Sequence, residues 1–124
     1  LGEYTFLNCE SLVNIELTNS HNTDIPKGCF LNCKNLKCIA TRYIETFDEG
    51  IGEEAFKGCS SLENVYLGDV AYYVDTAKIG NEAFKDCVSL KEISLPPLGE
   101  GGDITDIVNQ ITSYYTRLIY QKLY

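Results

Sequence analysis

Apolar and polar positions along the chain follow one pattern that recurs four times, starting at residues 1, 25, 51 and 79. The stretches LGEYTFLNCESLVNIEL, IPKGCFLNCKNLKCIAT, IGEEAFKGCSSLENVYL and IGNEAFKDCVSLKEISL share the consensus [LI]-[GP]-x3-F-x2-C-x2-L-x2-[IV]-x-[LT]. The aromatic recurs at Phe6, Phe30, Phe56 and Phe84, and the thiol at Cys9, Cys33, Cys59 and Cys87. Seven defined positions repeated four times exceed chance. Internal repetition of this period marks a stack of small units, each too short to bury an apolar face alone.

Each unit divides into two elements. The segment from the glycine or proline to the residue before the cysteine is predicted to be a short helical turn held by packing, since it is too short for a free-standing helix. Its last residue is Asn8, Asn32, Gly58 or Asp86, the residue types that tolerate left-handed backbone. Two places after the cysteine stands Ser11, Asn35, Ser61 or Ser89, whose small polar side chains can satisfy loose backbone groups. L-x2-[IV]-x-L then alternates as a short strand does. Stacking places leucine over leucine and phenylalanine over phenylalanine.

This consensus resembles the BspA-like class of leucine-rich repeats over residues 1–95, with the third and fourth units matching best. The second matches least well, with Pro26, Cys29 and Thr41 in place of glycine, alanine and leucine. The resemblance implies a right-handed leucine-rich-repeat solenoid with a short helical turn and a parallel strand in each repeat. It also implies a family used largely in cell-surface or secreted proteins for adhesion and protein binding.

The connections between units lengthen along the chain, over residues 18–24, 42–50 and 68–78, so every repeat exceeds the family norm. The latter two carry Tyr43 and Phe47, and Tyr72 and Tyr73. Tyr43/Glu45/Phe47 and Val70/Tyr72/Val74 alternate as extra strands would. These aromatics either cover the lengthened turns or form a ridge that docks a partner. A second candidate surface is the outward face of the repeat strands. Asn14, Cys38, Asn64 and Glu92 form one row, Glu16, Ala40, Tyr66 and Ser94 the next, with Val13, Lys37, Glu63 and Lys91 alongside. From these positions Asn14, Glu16, Asn64, Tyr66 and Glu92 join the four loop aromatics as candidate partner-binding residues.

Eighteen acidic against ten basic residues give a net charge of −8 in 124 residues, which disfavours nucleic acid and anionic lipid as partners. No apolar run is long enough for membrane insertion, and the N-terminus has no signal-peptide pattern. The absence of any methionine points to a processed protein or an excised segment. Six cysteines suggest disulfides at first, but four share one repeat position and Cys29 replaces Ala55 and Ala83. These five are expected to be buried free thiols. Cys38 is expected to face solvent and is the candidate reactive thiol. Metal binding by Cys29, Cys33 and Cys38 is disfavoured by a C-x3-C-x4-C spacing and by Cys38 pointing to the other side of its strand. His21, the one histidine, lies in TNSHNTD with no nucleophile or substrate basin indicated. No cofactor, metal or catalytic motif is read from the chain.

PPLGEGG at 96–102 breaks the pattern as a Pro/Gly linker. Residues 103–124 read as an amphipathic helix with Ile104, Val108, Ile111, Tyr115 and Leu118 in one stripe. It either caps the last repeat or mediates self-association. The organisation expected is therefore a four-repeat solenoid over 1–95, a linker, and a C-terminal helix. The function expected is non-catalytic recognition of a protein ligand, by adhesion or ligand binding at a cell surface or outside the cell. A structural module oligomerising through the C-terminal helix is the second reading, and a thiol-dependent enzyme or redox protein using Cys38 the third. Leu1 occupies the place of Ile25, Ile51 and Ile79, so Leu1, Phe6 and Leu12 should form an open apolar end unless a preceding repeat, a partner or a second copy covers them.

Overall fold

The computed structural model describes residues 1–18, 24–42, 49–67 and 78–94. The alternating segments form a four-stranded parallel sheet, in the order β1 (Asn14–Thr18), β2 (Cys38–Arg42), β4 (Asn64–Tyr66) and β6 (Glu92–Ser94). Its register places Asn14, Cys38, Asn64 and Glu92 in one row, and Ile15, Ile39, Val65 and Ile93 in the next. The isoleucine–valine row points inward, and in the second to fourth units it is buried with Leu36, Leu62 and Leu90. Thr41, which replaces a leucine, is also buried and donates its hydroxyl to the carbonyl of Tyr66 at 3.4 Å.

A second, smaller sheet was not expected from the sequence. β3 (Gly50–Ile51) pairs in parallel with β5 (Lys78–Ile79), and Ile25 bridges to Ile51. The isoleucine that opens the second, third and fourth units therefore has its own ladder. Ile25 N–H donates to the carbonyl of Gly50 at 2.9 Å, and Gly52 N–H to that of Ile25 at 2.7 Å.

The expected helical turn is absent: the described residues contain no helix. Each unit instead runs through successive β-turns, with N–H to carbonyl bonds such as Thr5 to Gly2, Leu7 to Tyr4 and Cys9 to Phe6. Asn8, Asn32, Gly58 and Asp86 do take the left-handed conformation, with φ of 58°, 59°, 77° and 64°. Four places earlier Tyr4, Gly28, Glu54 and Glu82 take it too, with φ of 55–60°. A left-handed residue in the middle of the segment ends any right-handed helical path. Both positions are the third residue of their turn, where positive φ defines type II geometry. The cost of about 1–2 kcal/mol for a non-glycine residue is offset by bonds that a helix could not make. N–H groups of Tyr4, Phe6 and Asn8 donate to carbonyls of Lys27, Cys29 and Leu31 in the next unit, and the same three bonds join the second unit to the third and the third to the fourth.

Side chains repeat at the same spacing. The four phenylalanine rings stack with centroids 5.2–5.3 Å apart and planes within 6–12°, slightly more than the ~4.8 Å between paired strands. The cysteines are free, as expected, and three of the thiols have a defined acceptor in the preceding unit. Cys33, Cys59 and Cys87 Sγ donate to the carbonyls of Phe6, Phe30 and Phe56 at 3.0, 3.0 and 3.1 Å. Asn35 Nδ2 and Ser89 Oγ likewise donate, both at 2.7 Å, to the carbonyls of Glu10 and Ser60.

Close stacking accounts for the glycine near the start of the unit. A Cβ on Gly52 would stand 2.7 Å from the carbonyl carbon of Pro26, and one on Gly80 would stand 2.8 Å from Glu53 Cα. Because the obstruction is backbone, it cannot rotate away. Gly52→Ala is expected to cost on the order of 1–3 kcal/mol through overpacking, read as a lower urea midpoint with the same slope. An unchanged midpoint would show that the units are not in contact along this line.

Candidate functional site

The solvent side of the four-stranded sheet is built from the residues that alternate with the buried row. Asn14 is exposed, and Cys38, Asn64 and Glu92 are half-buried beside it. In the row at Glu16, Ala40, Tyr66 and Ser94, Glu16 and Tyr66 are exposed. The expected outward rows are thus the observed ones. Tyr66 is the one large aromatic among the described residues of this face, at 38 % exposure. Its hydroxyl donates to the Glu92 carboxylate of the neighbouring strand in a short hydrogen bond. That bond, with burial and the carboxylate charge acting in the same sense, pushes the phenol up to about 12. The ring is therefore held neutral and in one orientation against the sheet. Flanking it, Lys91 and Glu63 pair at 3.7 Å along the margin.

Cys38 corrects an expectation. It lies in the outward row but is half-buried rather than fully exposed. Burial raises its pKa above the ordinary thiol value. A nucleophilic cysteine needs the opposite shift. Cys9 also departs from expectation, being half-buried where Cys29, Cys33, Cys59 and Cys87 are buried. Cys29 and Cys33 sit in the interior, away from the solvent face that carries Cys38. Among the described residues no group of three or more His, Cys, Asp or Glu side chains could hold a metal ion.

Tyr43, Phe47, Tyr72, Tyr73, His21 and the 103–124 segment lie outside the described residues, as do the two extra strands expected in the connections.

The turn side of the stack carries a charge ladder that sequence reading missed. Lys57 Nζ lies 3.0 Å from Glu54 and 2.8 Å from Glu82, and Lys85 lies 3.3 Å from Glu82. Donating hydrogen bonds to Glu82 and then Glu54 raises the Lys57 pKa, and accepting them from Lys57 and Lys85 lowers that of Glu82. The legible signal was a glutamate and a lysine at matching places in the third and fourth units. These four charges satisfy one another. A cleft of about 780 Å³ opens beside the second sheet, lined by Leu1, Glu3, Asp24, Lys27 and Glu49 among others. Asp24 Oδ1 there accepts from the N–H groups of Glu49 and Gly50 at 2.9 and 3.0 Å, so it serves the backbone.

Parallel strands in register, a stacked phenylalanine column and a turn ladder between units fit a repeat solenoid. Comparison with protein families gives it a particular place. The family model described as BspA type Leucine rich repeat region (6 copies) matches residues 1–107, and the chain belongs to that family. The match passes Leu95, into the segment read as linker and helix. No curated protein and no solved structure matches the chain. Among the described residues no helix is long and apolar enough to cross a membrane.

Proposed function

We propose that the chain is a non-catalytic protein-recognition module whose binding face is the solvent side of the four-stranded sheet, serving adhesion or ligand binding at a cell surface or outside the cell. The observation that carries this reading is the orientation of Tyr66. An exposed tyrosine already hydrogen-bonded to Glu92 loses little freedom when a partner covers it, which is what an interface anchor requires. On the same face Asn14, Asn64 and Glu16 supply polar side chains of the kind that form an interface rim. The setting at a cell surface rests on the family alone.

The test is binding to a panel of purified matrix and cell-surface proteins by surface plasmon resonance, comparing the natural chain with Tyr66→Ala and with Lys85→Ala on the turn side. Loss of an anchoring tyrosine weakens an interface by about 2 kcal/mol, or roughly thirtyfold in Kd. Tyr66→Ala is therefore expected to weaken any ligand found by that factor, and Lys85→Ala to leave it within about twofold. Equal loss from both variants, or none from Tyr66→Ala, would place recognition elsewhere.

A further inference from the structure

A thiol stands at each of the three junctions between the described units. Cys33, Cys59 and Cys87 Sγ reach back 27, 29 and 31 residues to donate to the carbonyls of Phe6, Phe30 and Phe56. Each of these carbonyls also accepts, at 3.1 Å, the N–H of the cysteine three places on in its own unit. One carbonyl therefore closes its own turn and holds the next unit. The same residue supplies a ring of the phenylalanine stack.

These three sulfurs lie in the core. Cys33 and Cys59 are fully buried and Cys87 is 2 % exposed, in one apolar cluster with Phe30, Phe56 and Phe84. The S–H proton is itself the donor across the junction. A group attached to sulfur therefore removes that bond and must also find space in a packed interior. Cys38 is the contrast. It is half-buried in the outward row of the four-stranded sheet, where a substituent extends into solvent.

We infer that the thiol column is a redox gate on folding: the units stack only while Cys33, Cys59 and Cys87 are reduced, and stacking then shields them from oxidation. The oxidant is a small-molecule disulfide of the glutathione class. In the unfolded chain a cysteine thiolate attacks one sulfur of that disulfide. The S–S bond of the reagent breaks and a mixed disulfide forms. Glutathione leaves as a thiolate and takes up the proton that the cysteine released. The protein sulfur is oxidised and the departing sulfur reduced, and attack by a free thiol reverses both changes. One adduct acts on the whole stack. At Cys59 it parts the second unit from the third, and repeat stacks draw their stability from such interfaces. The gate concerns folding, so its test needs no ligand of the sheet face.

The experiment treats the natural chain in urea with oxidised glutathione until about one adduct per chain has formed. The reaction is quenched with acid and the chain diluted into thiol-free buffer. A short pulse of protease then removes whatever has not folded, and peptide mass spectrometry maps the adducts in the surviving fraction and in the input. Adducts on Cys38 are expected in the folded fraction within about twofold of their share of the input, as for a tolerated surface change. Those on Cys33, Cys59 and Cys87 are expected to be depleted at least about tenfold. Dithiothreitol added before the pulse is expected to abolish the difference by returning the modified chains to the folded fraction. When the folded chain meets the same oxidant, uptake at Cys38 is expected to exceed that at the three column thiols at least about tenfold, since these react only after local opening. Column adducts as frequent in the folded fraction as in the input overturn the inference. So does equal uptake by Cys38 and the column in the folded chain, or a modified fraction that stays unfolded once reduced.

Discussion

A Phe56→Ala variant is expected to lose about 3–5 kcal/mol of stability, and to be substantially unfolded at temperatures the natural chain tolerates. Phe56 is fully buried and is stacked on both sides, on Phe30 at 5.3 Å and on Phe84 at 5.2 Å. Removing its ring opens a cavity in the middle of the column. The walls cannot close, because each neighbouring unit is fixed by three turn bonds and by the sheet. With total stabilities of domains near 5–15 kcal/mol, this is a large share. Phe6→Ala is the internal comparison. Phe6 is half-buried and among the described residues stacks only on Phe30, so its loss should cost less than half as much. Urea unfolding followed by circular dichroism gives both values. Equal costs at the two sites would mean that the rings do not act as a column with an open end.

The contrast between these phenylalanines shows which parts of the fold a sequence makes legible. Phe6, Phe30, Phe56 and Phe84 are apolar, identical and regularly spaced, so their stacking could be read directly. The same holds for the inward row at Ile39, Val65 and Ile93, and hence for the outward row that contains Tyr66. Asn8, Asn32, Gly58 and Asp86 advertised their left-handed backbone because their residue types favour it. Tyr4, Glu54 and Glu82 did not, since only Gly28 among the four residues at that place suits positive φ. Their conformation is imposed by hydrogen bonds to a neighbouring unit, which are a property of the stack rather than of any hexapeptide. That is why a short helix was expected where paired turns occur. Cysteine was legible as a small buried side chain, but its role as a donor was not, because its acceptor belongs to the preceding unit. The bond between Tyr66 and Glu92 escaped notice for a similar reason, being diagonal between neighbouring strands and joining residues 26 apart in the chain.

The thiol column also predicts a steep loss of stability in mild alkali. Burial raises Cys59 and Cys87 well above the ordinary thiol value, Cys87 to about 12, and raises Cys29 to about 11 and Cys33 in the same direction. In the unfolded chain these thiols ionise near pH 8.5. Stability is fully present below that pH and falls as pH rises towards the folded values, because the unfolded state alone releases protons. Each such group contributes a slope of about 1.4 kcal/mol per pH unit. Cys59 and Cys87, the two most deeply placed, together give about 2.7, and hence about 5 kcal/mol between pH 9 and 11. Cys29 and Cys33 add to it. The raised pKa values of Lys57 and Tyr66 act in the same direction above pH 10, so the thiols must be isolated by substitution. A Cys59→Ala/Cys87→Ala chain should be less stable than the natural one at pH 7, having lost two bonds to the carbonyls of Phe30 and Phe56. Its stability should nevertheless decline about 2.7 kcal/mol per pH unit less steeply above pH 9. Urea midpoints measured from pH 7 to 10.5 decide the matter, and parallel curves for the two chains would remove the thiols as the cause.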